Sequence, residues 1–358
     1  MKIQRRKNIT IQPAMNGQSG FSLLELLVSI TLFLIVTGAI FAALQAGRNS
    51  RTTVNREVEL SKTIRVGMNL LGRDTYNAGY GYPLETTVVL PDNRITSLLG
   101  IPNDYDSTRD TVPPVIAGNN ITLNTLNPVA GTRTDQVTFF FKDSTFNLVG
   151  PPGSAVSMPL SINAATTTVT GIDEIVPLSG SNSACRINDL YLITGNTGAT
   201  IGVSTGLSGA NKVQFANGDP LNFNQTGTSG PLRGITVPAS LQRIKMVTYF
   251  VTPDGILTRR EYVNTTAPTP FVDEPLIYGV EDFQIKYVMD DGTLSDNPSA
   301  GPDGIPGTAD DETVRLMAVR QIRFTISARS YELDTSGQPY RATLTSTFST
   351  RNLGYDAN

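Results

Sequence analysis

Gly20-Phe21-Ser22-Leu23-Leu24-Glu25 opens an apolar run that continues to Leu44 with a single charge, Glu25. At about 1.5 Å of rise per helical residue, Phe21–Leu44 spans roughly 36 Å, enough to cross a bilayer core with some tilt. Before it, Lys2, Arg5, Arg6 and Lys7 make residues 1–20 basic, with no acid among them. Positive charge beside a span favours the cytoplasmic side, so this reading keeps the N-terminus inside and exports the longer C-terminal part. A cleaved secretory signal has a shorter apolar core followed by small residues, whereas here the glycine precedes the core. A plain signal anchor fits the length and leaves Glu25 unexplained, and a buried soluble helix has no need of a basic leader. An ionisable group inside a span is costly, which makes Glu25 a functional candidate in need of a partner.

Gly20, then Phe21, then Glu25, set in Phe-Ser-Leu-Leu-Glu-Leu-Leu-Val, resembles the N-terminal signature of type IV pilins and type II secretion pseudopilins. The resemblance implies that a membrane prepilin peptidase cuts after Gly20, in a pocket that accepts no side chain there. It implies N-methylation of Phe21 and a mature chain that is a filament subunit. Cleavage would free an α-amine on Phe21, and in a helical filament that amine can approach the Glu25 carboxylate of an axially offset neighbour. Pairing removes much of the cost of burying either charge, so the pair would reward one stagger only.

Composition bounds the rest. Beyond the leader and a helical stalk, roughly 270 residues remain, enough for one large β-rich domain or two smaller ones. The net charge is −3 and the pI about 5.2, so the basic footprint of a nucleic-acid binder is missing. Cys185 is the only cysteine, so no intramolecular disulfide can form; it reads as a half-buried structural thiol. Many major pilins close their C-terminal region with a disulfide and are shorter, so both departures favour a minor subunit. There is no histidine, which removes the commonest general base and zinc ligand. The chain is expected not to be an enzyme, with no catalytic residue.

Past Gly47 the polarity changes, yet no proline appears until Pro83. Leu60, Ile64, Met68 and Leu71, with Gly67 on the same side, form one stripe of an amphipathic helix, and charges including Arg73 and Asp74 populate the other faces. A single helix of roughly 50 residues is therefore expected, starting in the membrane, packing on a sheet and ending at Asn77–Pro83. Arg73–Tyr80 resembles the helix exit of PilW-type minor pilins. Residues 83–135 read as loop-rich, broken into short pieces by turn residues such as Pro113-Pro114 and Gly118-Asn119-Asn120, and residues 150–183 as Gly/Ser/Thr/Pro-rich with short apolar pieces.

Gln136–Lys142 reads as a strand with Val137, Phe139 and Phe141 on one face, and Asp189–Thr194, Thr200–Val203 and Lys212–Phe215 as further strands. Arg243–Val251 and Ile256–Val263 form a hairpin about Thr252-Pro253-Asp254-Gly255. Leu276–Met289, Val314–Arg329 and Arg341–Arg351 complete an antiparallel sheet, apolar on one face and polar on the other, over a single core. Their order resembles the C-terminal half of PilW-like and GspJ-like subunits.

Two further motifs need weighing. Asp296, Asp303, Asp310 and Asp311 lie in an acidic Asp/Gly loop, 290–312, that resembles the calcium loops of secreted proteins; calcium is the one candidate cofactor, against a solvated hairpin loop. Gly202-Val203-Ser204-Thr205-Gly206 fits the nucleophile-elbow pattern, but no helix signal follows and no histidine exists to activate the serine.

The expected fold is α+β: a long N-terminal helix packed on a β-rich, antiparallel head, pilin-like. The expected organisation is a leader at 1–20, a membrane and filament-core helix at 21–47, a stalk helix at 48–82 and a head at 83–358. The primary reading is a PilW-like minor pilin, held in the bacterial inner membrane before assembly and at the pilus surface after it. Its implied partners are the prepilin peptidase, other minor pilins, the major pilin and the assembly platform. A GspJ-like pseudopilin is the nearest alternative, and a calcium-dependent pilus adhesin a more remote one.

Overall fold

The structure, a computed structural model, describes residues 21–83, 87–101, 109–144, 158–162, 174–177, 185–195, 197–208, 212–224, 235, 239–262, 269–298, 318–333 and 337–353. The chain divides into two compact units, Met1–Asn55 and Arg56–Asn358. Helix α1, Leu23–Asn77, is 55 residues long and contributes to both, as its uninterrupted helical pattern predicts. In the first unit its residues are exposed almost all the way round, Phe33, Ile35 and Phe41 among them.

Within the second unit the rest of α1 shows the expected stripe. Ile64, Met68 and Leu71 are buried and Leu60 is partly buried against the same cluster. Each buried aliphatic contributes about 1.5–3 kcal/mol. Two glycines on this face permit close approach. A Cβ on Gly67 would stand 2.6 Å from Ile277 Cδ1, and one on Gly72 would run into the Phe348 ring. The helix stops where expected, with Gly79 (φ 77) and Gly81 (φ 69) in the left-handed region that glycine enters freely.

The strands follow as β1 (Val88–Pro91), β2 (Arg109–Thr111), β3 (Val115–Leu123) and β4 (Arg133–Lys142), with the short helix α2 (Arg94–Leu99) between the first two. Next come β5 (Met158–Ile162), β6 (Glu174–Pro177), β7 (Leu190–Gly195), β8 (Gly198–Val203), β9 (Gly206–Ser208) and β10 (Lys212–Gln214). The C-terminal part holds β11 (Ala239–Val251), β12 (Ile256–Tyr262), β13 (Phe271–Tyr278), β14 (Val280–Met289), β15 (Leu294–Ser295), β16 (Val319–Leu333) and β17 (Pro339–Ser349). Among the described residues, pairing is antiparallel apart from β1 with β8.

Strand β11 organises the head. Its first half, Ala239–Arg243, pairs with β7, and its second half, from Ile244, pairs with β4, while Val247–Val251 pair with β12. One strand thereby joins two sheet regions. A separate four-stranded sheet runs β15-β14-β16-β17.

Four expectations are corrected. The core is double. One cluster gathers the α1 stripe with β4, β11, β14 and β16, and a second gathers β1, α2, β7 and β8. Strand β4 lies between them: Val137, Phe139 and Phe141 enter the first and Phe140 the second, so neither face is solvent-exposed. The run Leu276–Met289 is divided between β13 and β14 by Gly279 (φ 74), where a Cβ would collide with the Arg329 carbonyl. The stretch 83–135 carries strands β1 to β3, part of β4, and α2, because its short apolar pieces find strand partners, β1 in β2 and the distant β8, β3 in β4. Asp74 is the fourth correction: it is not on a solvated face but 1% exposed, on the stripe itself. The alternation in β16 holds, with Ile322, Phe324, Ile326 and Ala328 all buried.

Candidate functional site

The first unit starts with a built helix cap. The Ser22 Oγ accepts the Glu25 backbone N–H at 3.2 Å, and the Ser22 carbonyl accepts the Leu26 N–H at 3.1 Å. Ser22-x-x-Glu25 has the sequence form of a capping box, a local signal that lies inside the start of the apolar run. Glu25 is exposed in the first turn, where the helix dipole favours a carboxylate. A capping box accepts glutamine as well as glutamate at that position, so the cap accounts for the shape of Glu25 and not for its charge. Phe21 stands just ahead of the helix and is 77% exposed.

The other polar groups of the run are self-sufficient. Ser29 Oγ donates to the Glu25 carbonyl and Thr31 Oγ1 to the Val28 carbonyl, each at 2.8 Å. Such back-bonding lets hydroxyls enter an apolar medium without an external partner. A side chain at Gly38 would meet nothing within 4 Å. By length and composition, the helix can cross a membrane.

The family model of the prokaryotic N-terminal methylation motif matches residues 15–41, which hold Gly20, Phe21 and Glu25. The chain carries the type IV pilin and pseudopilin signature. No curated protein matches the chain. The prepilin motif implies processing by a prepilin peptidase and assembly with pilus components, and the apolar helix fits anchoring in the inner membrane. Gly20 of this pilin-like chain lies outside the described residues.

The second unit holds a constellation that the sequence reading missed. Asp74 Oδ2 accepts from the Tyr249 hydroxyl at 2.8 Å and from Arg259 Nε at 2.9 Å, while Oδ1 accepts from Arg73 Nε at 3.2 Å. Arg259 also donates to Glu261, which takes Lys245 Nζ on its other oxygen at 2.8 Å. Burial raises the Tyr249 hydroxyl above its ordinary pKa, with the nearby Asp74 charge adding to it. The Arg259 guanidinium is raised as well: burial opposes this, and Asp74 outweighs it. This network ties the last turn of α1 to β11 and β12. Its signal was the position of Asp74, three residues beyond Leu71 on the apolar stripe.

A second buried cluster joins the end of β4, the start of β7 and the middle of β11. Arg243 donates through Nε to Asp143 at 2.9 Å and through a terminal nitrogen to Asp189 at 3.0 Å. Cys185 lies nearby and is only 4% exposed, deeper than the half-buried thiol expected, and burial pushes its thiol up to about 11. Ser204 of the elbow-like motif sits between β8 and β9 rather than at a strand-to-helix turn, and its hydroxyl donates to the Arg186 carbonyl.

Of the candidate calcium ligands, Asp296 pairs with Lys286 at 2.8 Å, and Asp303, Asp310 and Asp311 lie outside the described residues. Among the described residues, no group of three or more acidic, cysteine or histidine side chains is placed to hold a metal.

Proposed function

We propose that this chain is a minor subunit of a type IV pilus, PilW-like, which joins the initiating complex at the filament tip. The observation that carries it is the helical stretch from Leu23 to Leu44, apolar and exposed almost all round, with one carboxylate in its first turn. A helix apolar on every side needs lipid first and other helices afterwards. Before assembly it would cross the inner membrane once with its N-terminus in the cytoplasm, as the basic leader favours. Cleavage after Gly20 and methylation of Phe21 then release it to partners: other minor pilins, the major pilin and the assembly platform. Support for a specialised rather than bulk subunit comes from the large β-rich second unit and the single, buried cysteine.

A deletion strain tests this, scored separately for surface pili and for secreted enzymes. Loss of pili with secretion intact is expected. Loss of secretion with pili intact would replace the reading by a GspJ-like pseudopilin.

A further inference from the structure

Among the described residues, strand β17 lies at the edge of its sheet and pairs with β16 alone. Between Arg341 and Arg351 it has no charge and no proline. The other long edge strand, β13, carries Asp273, Glu274 and Pro275, the residue types by which proteins keep a sheet edge from pairing. The uncharged, threonine-rich stretch Ala342–Ser349, beyond Pro339 and Arg341 at the strand's start, lacks that protection and is a template for another strand.

Its two faces show what kind of strand fits. On the outer face, Thr345 Oγ1 is 3.0 Å from Thr325 Oγ1, and Thr343 Oγ1 is 2.8 Å from Ser327 Oγ, a hydroxyl ladder that ends at β17. On the inner face, Ala342, Leu344 and Phe348 pack on the first core yet are only partly buried, so apolar surface is left at the edge. The strand is complementary to itself about Ser346. In an antiparallel pair centred there, Leu344 faces the partner's Phe348 and Thr345 faces the partner's Thr347, while the smallest side chain lies on the axis.

We propose that β17 pairs antiparallel with β17 of a second copy of this chain, about a two-fold axis at Ser346. Such an interface is isologous, so each cross-strand pair occurs twice and both edges are closed at once. It continues the hydroxyl ladder by the same threonine pairing seen between β16 and β17, and it covers Leu344 with Phe348. One strand pair is a small interface. Confinement of both copies to a membrane raises their effective concentration and makes it sufficient.

Cysteine cross-linking of the full chain in isolated membranes tests the register. Directly opposed residues have Cβ atoms about 4.5–5.5 Å apart, close to disulfide geometry, whereas diagonal ones do not. Mild oxidation of the Thr345→Cys/Thr347→Cys chain should give a disulfide dimer at least tenfold more abundant than either single variant or Glu274→Cys on β13. The parent chain, with Cys185 buried, gives the baseline. Adding Ser346→Lys to the double-cysteine chain places two like charges on the axis and should abolish the dimer. Equal yields from the single and double variants, a dimer from Glu274→Cys, persistence with Ser346→Lys, or an adduct with a chain of different mass would overturn the proposal. The single variants, recovered at parental abundance, show that the strand tolerates cysteine.

Discussion

Arg259 Nε donates to the Oδ2 of Asp74 at 2.9 Å, joining two buried groups 185 residues apart. A buried pair is of small net worth while intact, because desolvation offsets the attraction, but removing one member leaves the other charge uncompensated. Asp74→Ala is therefore expected to destabilise the second unit by about 3–5 kcal/mol. Urea denaturation of the full chain in detergent should show it. In the Asp74→Ala/Arg259→Met double variant part of the loss should return, and a strictly additive double variant would count against the latch.

At the membrane end, Glu25→Gln keeps a side chain that a capping box accepts and removes only the charge. The variant should be cleaved and membrane-inserted like the parent yet fail to enter filaments. Normal incorporation, followed by immunoblotting of sheared pili, would remove Glu25 from the assembly mechanism. Gly20→Asp should instead leave the longer precursor in the membrane fraction, visible as a slower band on a gel.

Gly72 and Gly38 make opposite predictions from one helix. A Cβ at Gly72 would lie 2.7 Å from the Phe348 Cδ1 and Cζ atoms, so Gly72→Ala must displace an aromatic ring packed on the first core. A cost of about 1–3 kcal/mol is expected, the usual range for overpacking. Gly38→Ala meets open space in the single chain and should leave its denaturation unchanged. An effect of Gly38→Ala on filament yield alone would then report a helix neighbour at that point.

Asp135 supplies a pH dependence. Its two oxygens accept the Asn120 and Ile285 backbone N–H groups, at 2.8 and 2.7 Å, which ties β3 and β4 to β14. Burial raises its carboxyl from 3.8 to about 6, against the two N–H bonds and with help from Asp282 and Asp296. With the folded-state value above the unfolded one, the native state binds more protons between those values, and stability falls as pH rises through that window. The contribution present below about pH 4 and lost above about pH 6 is about 3 kcal/mol. In Asp135→Asn this slope should vanish from the difference between urea melts at pH 4.5 and pH 7. An unchanged pH profile would assign the slope to other groups.

Much of this protein is local. The basic leader, the apolar run and the spacing of Gly20, Phe21 and Glu25 determine the span and the processing motif, because each rests on neighbours within a few residues. The stripe through Leu60, Ile64, Met68 and Leu71 and the alternation in β16 likewise report which face of an element is apolar. What covers that face is a non-local matter. Phe139, Phe140 and Phe141 read as one strand, and only the folding of β11 into two sheet regions sends Phe140 into a second core. Asp74 is ambiguous in sequence, since a charge at the end of a stripe can be solvated or paired. Arg259 and Tyr249, brought from β12 and β11, decide that it is paired. The same holds for β17: its pattern is legible residue by residue, but its place at the end of a sheet is set by how all the other strands pack. Periodicity determines the faces, and tertiary structure alone chooses their partners, because those contacts join segments whose separation along the chain carries no local energy.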